Sequence, residues 1–145
     1  MEKQVRQILF SCTLNAIRSV MAEALFNRMA PKGWRSVSCG VIAGPADGFT
    51  FAVMEERKIS IDMHRQPKIF SDFDSSQIDY AVSLSVEAQY HLEQWDRLVP
   101  QEHWTIKELF LADENREIQL KNYRLIRDEI NTHVCELVTR IGNNT

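Results

Sequence analysis

The sequence predicts a three-layer α/β domain, a parallel sheet covered by helices on both faces, and three observations carry that expectation. Short segments of large and β-branched apolar residues alternate along the chain with one-faced helical stripes. Glycine and proline punctuate the junctions, at Pro31, Gly33, Gly40, Gly44, Pro45 and Gly48. The length of 145 residues, 44% hydrophobic and 26% charged, suits a single domain over residues 1–145 with one ordinary core.

Residues 5–11 are dominated by large apolar side chains and then meet a small polar stretch, which reads as a buried strand. Residues 19–29 place Val20, Met21, Ala24, Leu25 and Met29 on one helical face and stop before Pro31 and Gly33. Residues 34–39 alternate as a second strand ended by Gly40, and the turn-rich stretch at 44–48 leads into a helix over 50–58. Residues 59–71 hold Pro67 and read as a loop. A third strand follows at 78–83, a third helix at 86–95, and a fourth strand is expected at 103–106. The last helix, 115–141, carries Tyr123, Ile126, Ile130, Val134, Leu137 and Ile141 at spacings of three and four. Strands alternating with helices imply parallel pairing through right-handed crossovers.

Seventeen Lys+Arg against twenty Asp+Glu give a net charge of −3, which argues against binding nucleic acid through bulk charge and confines any anion site to a local cradle. No apolar run exceeds four residues, so no membrane span is expected, and the N-terminus lacks the apolar core of a signal peptide. Three cysteines, Cys12, Cys39 and Cys135, form no Cys-x-x-Cys pair, which fits a reducing cytoplasm and gives no reason to expect structural zinc.

In an open parallel sheet, ligands bind beyond the carboxyl ends of the strands, and the first strand-to-helix junction is the prime position. Here that junction reads Cys12-Thr-Leu-Asn-Ala-Ile-Arg18-Ser19. Bent between a strand and a helix N-terminus, it can converge the backbone N–H groups of Thr13, Leu14, Asn15, Ala16, Ile17 and Arg18 on a tetrahedral oxyanion. The planar fork of Arg18 suits two equatorial oxygens, and Cys12 would lie beneath the central atom. A thiol attacks as thiolate, and the helix terminus, the loop amides, Arg18 and Ser19 are the groups that stabilise such an anion. The bland alternative is a core thiol with an unrelated surface arginine.

The stretch from Ile8 to Phe26 resembles the low-molecular-weight protein tyrosine phosphatase family. The resemblance continues through Val37-Ser38-Cys39-Gly40, Ile59 to Arg65, Ile78-Asp79-Tyr80 and Arg124 to Ile130. It implies a four-stranded parallel sheet in the order 2-1-3-4, a fold shared with thioredoxin-coupled arsenate reductases. It implies phosphomonoester hydrolysis on phosphotyrosine or aryl phosphates, with no metal and no cofactor, in the cytoplasm. Cys12 then resembles the nucleophile that becomes phosphocysteine, Arg18 the residue holding the phosphoryl oxygens, and Ser19 the hydroxyl that hydrogen-bonds the thiolate. Asn15, Ser38 and His64 resemble the network that supports the loop. Beside these roles stand plainer ones: an Asn tolerated in a left-handed conformation, a Ser at a strand end and a surface His.

Several positions depart from the family pattern. The family's general acid is an Asp followed by Pro, and this chain has no Asp-Pro. Counting back from Arg116-Glu117 to Trp104 places Glu108 and Leu109 at those positions, so Glu108 is the candidate acid and slow turnover is expected. Asp113 is a rival acid and equally reads as an N-cap of the last helix, and Phe110 is expected to wall the pocket. Ile17 stands where many members carry a second cysteine, Leu14 where Gly is usual, and Val20 where Pro is usual. Residues 84–98 hold no cysteine, whereas arsenate reduction on this scaffold uses two there. Two alternatives stay open beside the phosphatase: an impaired phosphate-binding regulator and an arsenate reductase recruiting Cys39 or a small thiol.

Overall fold

Ile8, Leu9 and Phe10 have no exposed surface, and the twofold alternation of a strand sends Ile8 and Phe10 to one face of a sheet and Leu9 to the other. A strand apolar on both faces must lie inside, and a computed structural model of the chain, which describes residues 5–107 and 115–143, places it there. The strands are β1 (Arg6–Cys12), β2 (Trp34–Gly40), β3 (Tyr80–Ser83) and β4 (Gln101–His103), all parallel, in the order β2-β1-β3-β4. The helices are α1 (Arg18–Met29), α2 (Gly48–Glu55), α3 (Val86–Trp95) and α4 (Arg116–Asn143). The fold class and strand order expected from the sequence are those observed.

The two faces carry separate cores. Ile8, Phe10 and Val82 pack with Met21, Leu25 and Phe26 of α1 and with the stripe of α4, where Tyr123, Ile126, Ile130, Val134 and Leu137 are all buried. Leu9, Cys39 and Ala81 face the opposite layer with Phe70, Leu92 and Val99. Arg127 of α4 is buried yet fully engaged, donating to Val53 O at 2.8 Å, Glu56 Oε1 at 2.9 Å and Asp128 Oδ1 at 2.8 Å, and so ties α2 to α4.

Some boundaries differ from the sequence reading. The fourth strand lies at Gln101–His103 and not at 103–106. Its start is fixed by Pro100, whose carbonyl accepts from Ala81 N at 2.9 Å, and its polar residues Gln101 and Glu102 carry no apolar signature. Trp104 and Ile106, which suggested a later strand, are buried but continue beyond the paired register. The second helix begins at Gly48, two residues early, because Asp47 Oδ1 accepts from Thr50 N at 3.1 Å and caps it, and it closes before Lys58, whose φ is 61°. The loop at 59–71 contains a single 3₁₀ turn at Phe70–Asp72. Glu108, Leu109, Phe110 and Asp113 lie outside the described residues. Among the described residues, no helix is long and apolar enough to cross a membrane.

The α4 stripe yields a direct test. Ile130 has no exposed surface, so Ile130→Ala is expected to cost about 2–5 kcal/mol in urea denaturation. Leu125, one face away and 50% exposed, should lose no more than about 0.5 kcal/mol on the same truncation.

Candidate active site

The turn from β1 into α1 is held open by its own carbonyls. Val41 N donates to Cys12 O at 3.1 Å, Ile42 N to Thr13 O at 3.0 Å and Gly44 N to Leu14 O at 2.8 Å. The segment after β2 thus takes up the outward carbonyls, and among the described residues no carbonyl accepts from the N–H groups of residues 14–17. Helix α1 starts at Arg18 without a side-chain cap, so the uncompensated donors of its first turn add to those of the loop. A cradle of unpaired N–H groups at a helix N-terminus is suited to an anion.

Cys12 and Arg18 meet over this cradle. They line a cavity of about 220 Å³ with Thr13, Leu14, Ala16, Ile17, Glu87 and Ile126. Cys12 is 5% exposed, and its Sγ lies 2.9 Å from Ser19 Oγ. Arg18 is half-buried, and its Nη1 donates to Leu84 O at 3.2 Å, which leaves further guanidinium N–H groups for a ligand. Thr13 Oγ1 sits 3.1 Å from Ser85 Oγ and 3.3 Å from Glu87 Oε2, linking the loop to the start of α3.

The shape of the loop depends on Asn15. Its φ is 54°, a left-handed conformation that Asn tolerates better than most residues. Its amide orientation follows from its neighbours: Oδ1 accepts from Arg65 Nη2 at 2.8 Å and from Lys68 N at 2.9 Å, both of which only donate. Nδ2 therefore faces the other way, donating to Ser19 Oγ at 2.9 Å and Ser38 Oγ at 3.0 Å. Ser19 Oγ accepts from Asn15, and a Cys12 thiolate, which can only accept, would take the Ser19 proton across the 2.9 Å contact.

The network extends to groups the sequence reading did not select. Arg65 Nη1 also donates to Asn15 O at 3.2 Å, and Nη2 lies 3.5 Å from Ser38 Oγ. Glu23 of α1 approaches the same point: burial pushes its carboxyl up, opposed by the charge of Arg65 and by hydrogen bonds from Ser38. A hydrogen-bonded chain thus runs from Ser38 through Asn15 and Ser19 to the Cys12 sulfur. Asn15 and Ser38 come together as the resemblance implied, but His64 does not join them. It is exposed, in a turn closed by Arg65 N to Asp62 O at 3.1 Å and by His64 N to Asp62 Oδ1 at 2.9 Å, and that turn delivers Arg65 to the loop in its place.

Cys39 is wholly buried on β2 one residue from the loop-facing Gly40, and desolvation pushes its thiol far up, followed by the charges of Cys12 and Asp72. Cys135 is exposed on α4 and lines a different cavity with Met29 and Arg57. Among the described residues, no cluster of His, Cys, Asp and Glu could hold a metal ion.

A parallel sheet of this order, with a Cys-x5-Arg loop closing over an uncapped helix terminus, defines the class of cysteine-loop phosphatase-fold proteins. The chain belongs to the low molecular weight phosphotyrosine protein phosphatase family, whose model matches residues 7–145. It is 28% identical over 125 residues to the arsenate reductase of Staphylococcus aureus (strain N315), covering 86% of this chain and 90% of that protein. The crystal structure of arsenate reductase from Archaeoglobus fulgidus DSM 4304 superposes with a TM-score of 0.68 and 27% identity, covering 91% of this chain and 98% of that one. The YwlE arginine phosphatase from Geobacillus stearothermophilus, at 21% identity, shares the fold with a TM-score of 0.78 over 96% of this chain and 94% of its own.

The close approach of β2 to the loop is testable. A Cβ on Gly40 would stand 2.6 Å from Asn15 N and 2.6 Å from Ile42 O, both backbone atoms that cannot swing aside. Gly40→Ala is expected to destabilise the protein by about 1–3 kcal/mol and to weaken phosphate binding, read by thermal melting with and without phosphate. An unchanged phosphate-induced rise in Tm would show that the loop does not depend on this contact.

Proposed function

We propose that the protein is a cysteine-dependent phosphomonoester hydrolase acting on phosphotyrosine or small aryl phosphates, without a cofactor. The observation that carries this reading is the placement of the Cys12 sulfur, 2.9 Å from the Ser19 hydroxyl, at the floor of a cavity that Arg18 and an uncapped helix terminus share. In the first step the Cys12 thiolate attacks phosphorus, the S–P bond forms, and the P–O bond to the leaving group breaks. Arg18 and the N–H groups of Thr13, Leu14, Asn15, Ala16 and Ile17 stabilise the charge on the equatorial oxygens. The carboxylic acid of Glu108 gives its proton to the departing oxygen. In the second step the Glu108 carboxylate takes a proton from water, water attacks phosphorus, and the S–P bond breaks to release phosphate and restore the thiolate, which Ser19 stabilises by its hydrogen bond. Phe110 would stack on the aromatic leaving group.

Two other readings are outcomes of the same experiments. The missing Asp-Pro favours a slow enzyme or a phosphate-binding regulator that keeps the cradle without efficient acid catalysis. Relatives named arsenate reductases favour testing arsenate as a substrate. Against that stand the absence of cysteines in residues 84–98 and the burial of Cys39, which withholds it as a relay thiol.

Hydrolysis of para-nitrophenyl phosphate tests the nucleophile, because its leaving group departs without protonation. Cys12→Ser is expected to abolish turnover, and Arg18→Ala to lower kcat/KM about a hundredfold or more. Absence of turnover by the wild-type protein, with phosphate still bound in calorimetry, would select the regulator. Arsenate-dependent thiol consumption would select the reductase. Glu108→Gln is expected to slow phosphotyrosine hydrolysis by about a hundredfold while sparing the nitrophenyl ester, and Asp113→Asn to spare both. Equal losses on both substrates in Glu108→Gln would remove Glu108 from the acid role.

A further inference from the structure

The cavity that receives the phosphoryl group has a charge at its entrance that the hydrolysis scheme leaves unused. Glu87, in the first turn of α3, lines the cavity alongside Cys12 and Arg18. Its Oε2 lies 3.3 Å from Thr13 Oγ1, on the residue that follows Cys12, and Thr13 Oγ1 is itself 3.1 Å from Ser85 Oγ, the α3 cap. Among the described residues that line the cavity, Arg18 is the cation and Glu87 the anion, and Arg18 turns to Leu84 O and does not pair with Glu87.

A carboxylate at the mouth of a dianion site opposes capture of the phosphoryl group itself. Its effect on a charge in the organic part of the ligand has the opposite sign for a cation, and it grows as that charge nears the Glu87 carboxylate. We propose that Glu87 is a specificity-determining residue that selects phosphoryl compounds whose organic part carries a positive charge, and rejects those whose organic part carries an acidic group. This rests on the phosphatase reading of the cavity. A carboxylate in the first turn of α3 also favours that helix through its dipole, and this second role predicts a change in stability but none in ligand preference.

The test uses the full chain carrying Cys12→Ser, which binds without turning over, and two probes of matched size: 4-(aminomethyl)phenyl phosphate and 4-carboxyphenyl phosphate. Calorimetry should show the cationic probe binding about threefold to tenfold more tightly, a preference that shrinks when salt is raised to about 0.5 M. In Cys12→Ser/Glu87→Gln the two dissociation constants should converge. Equal binding of both probes to Cys12→Ser, or a preference that survives Glu87→Gln or high salt, overturns the role of Glu87 and leaves the phosphatase reading intact. Failure of either probe to bind, with no turnover of para-nitrophenyl phosphate by the wild-type protein, overturns both.

Discussion

One side-chain amide organises the loop between β1 and α1. Asn15 meets two obligate donors on one side, Arg65 and the Lys68 backbone, and two hydroxyls on the other, Ser19 and Ser38. Its orientation is thereby fixed without reference to any ligand, and with it the left-handed φ that turns the chain between β1 and α1. Ser19 accepts from Asn15 and lies 2.9 Å from the Cys12 sulfur, so the network reaches that sulfur through a single hydroxyl. A residue that tolerates an unusual backbone is therefore also tied, through Ser19, to the Cys12 sulfur.

The surrounding fold explains why such a loop stays open. The parallel sheet puts the carboxyl ends of β1 and β2 side by side, in the register Cys12↔Gly40, so the segment after β2 can take up the loop carbonyls one by one. That approach leaves no room for a Cβ at Gly40. The amides of residues 14–17 have no carbonyl partner among the described residues, and α1 contributes its own unpaired donors because Ile17 does not cap it. Preorganisation here means that the donors already point at the anion before it arrives, so little reorganisation accompanies binding.

Much of this was legible in the residues. The apolar alternation in β1 and the three-and-four spacing in α4 each come from a period that one face of the core imposes, and both elements lie where the patterns put them. The Cys-x5-Arg turn was visible because strand, small polar residues and helix follow one another directly. β4 was displaced because Gln101 and Glu102 carry no hydrophobic signal. Its edge is secured by Glu102, which accepts from Trp104 Nε1 at 2.8 Å and from two distant partners that spacing does not disclose, Tyr80 and Arg140 Nη2, the latter at 2.9 Å. Arg65 was passed over for His64 because the two are adjacent, and only the geometry of the turn at Asp62 decides which one faces the loop. Glu23 and Glu87 sit on helices whose registers relative to the loop are tertiary facts.

The order of the strands has a consequence for synthesis of the protein. β1 occupies the middle of the sheet, with Arg6 opposite Trp34 on one side and Ile8 opposite Tyr80 on the other, while the stripe that covers Ile8 and Phe10 belongs to the last helix. β1 is made before both strands that flank it and before α4, so its apolar faces wait for each of those elements before they are sheltered. A nascent chain that lacks α4 therefore leaves the Ile8 and Phe10 face of its central strand partly uncovered.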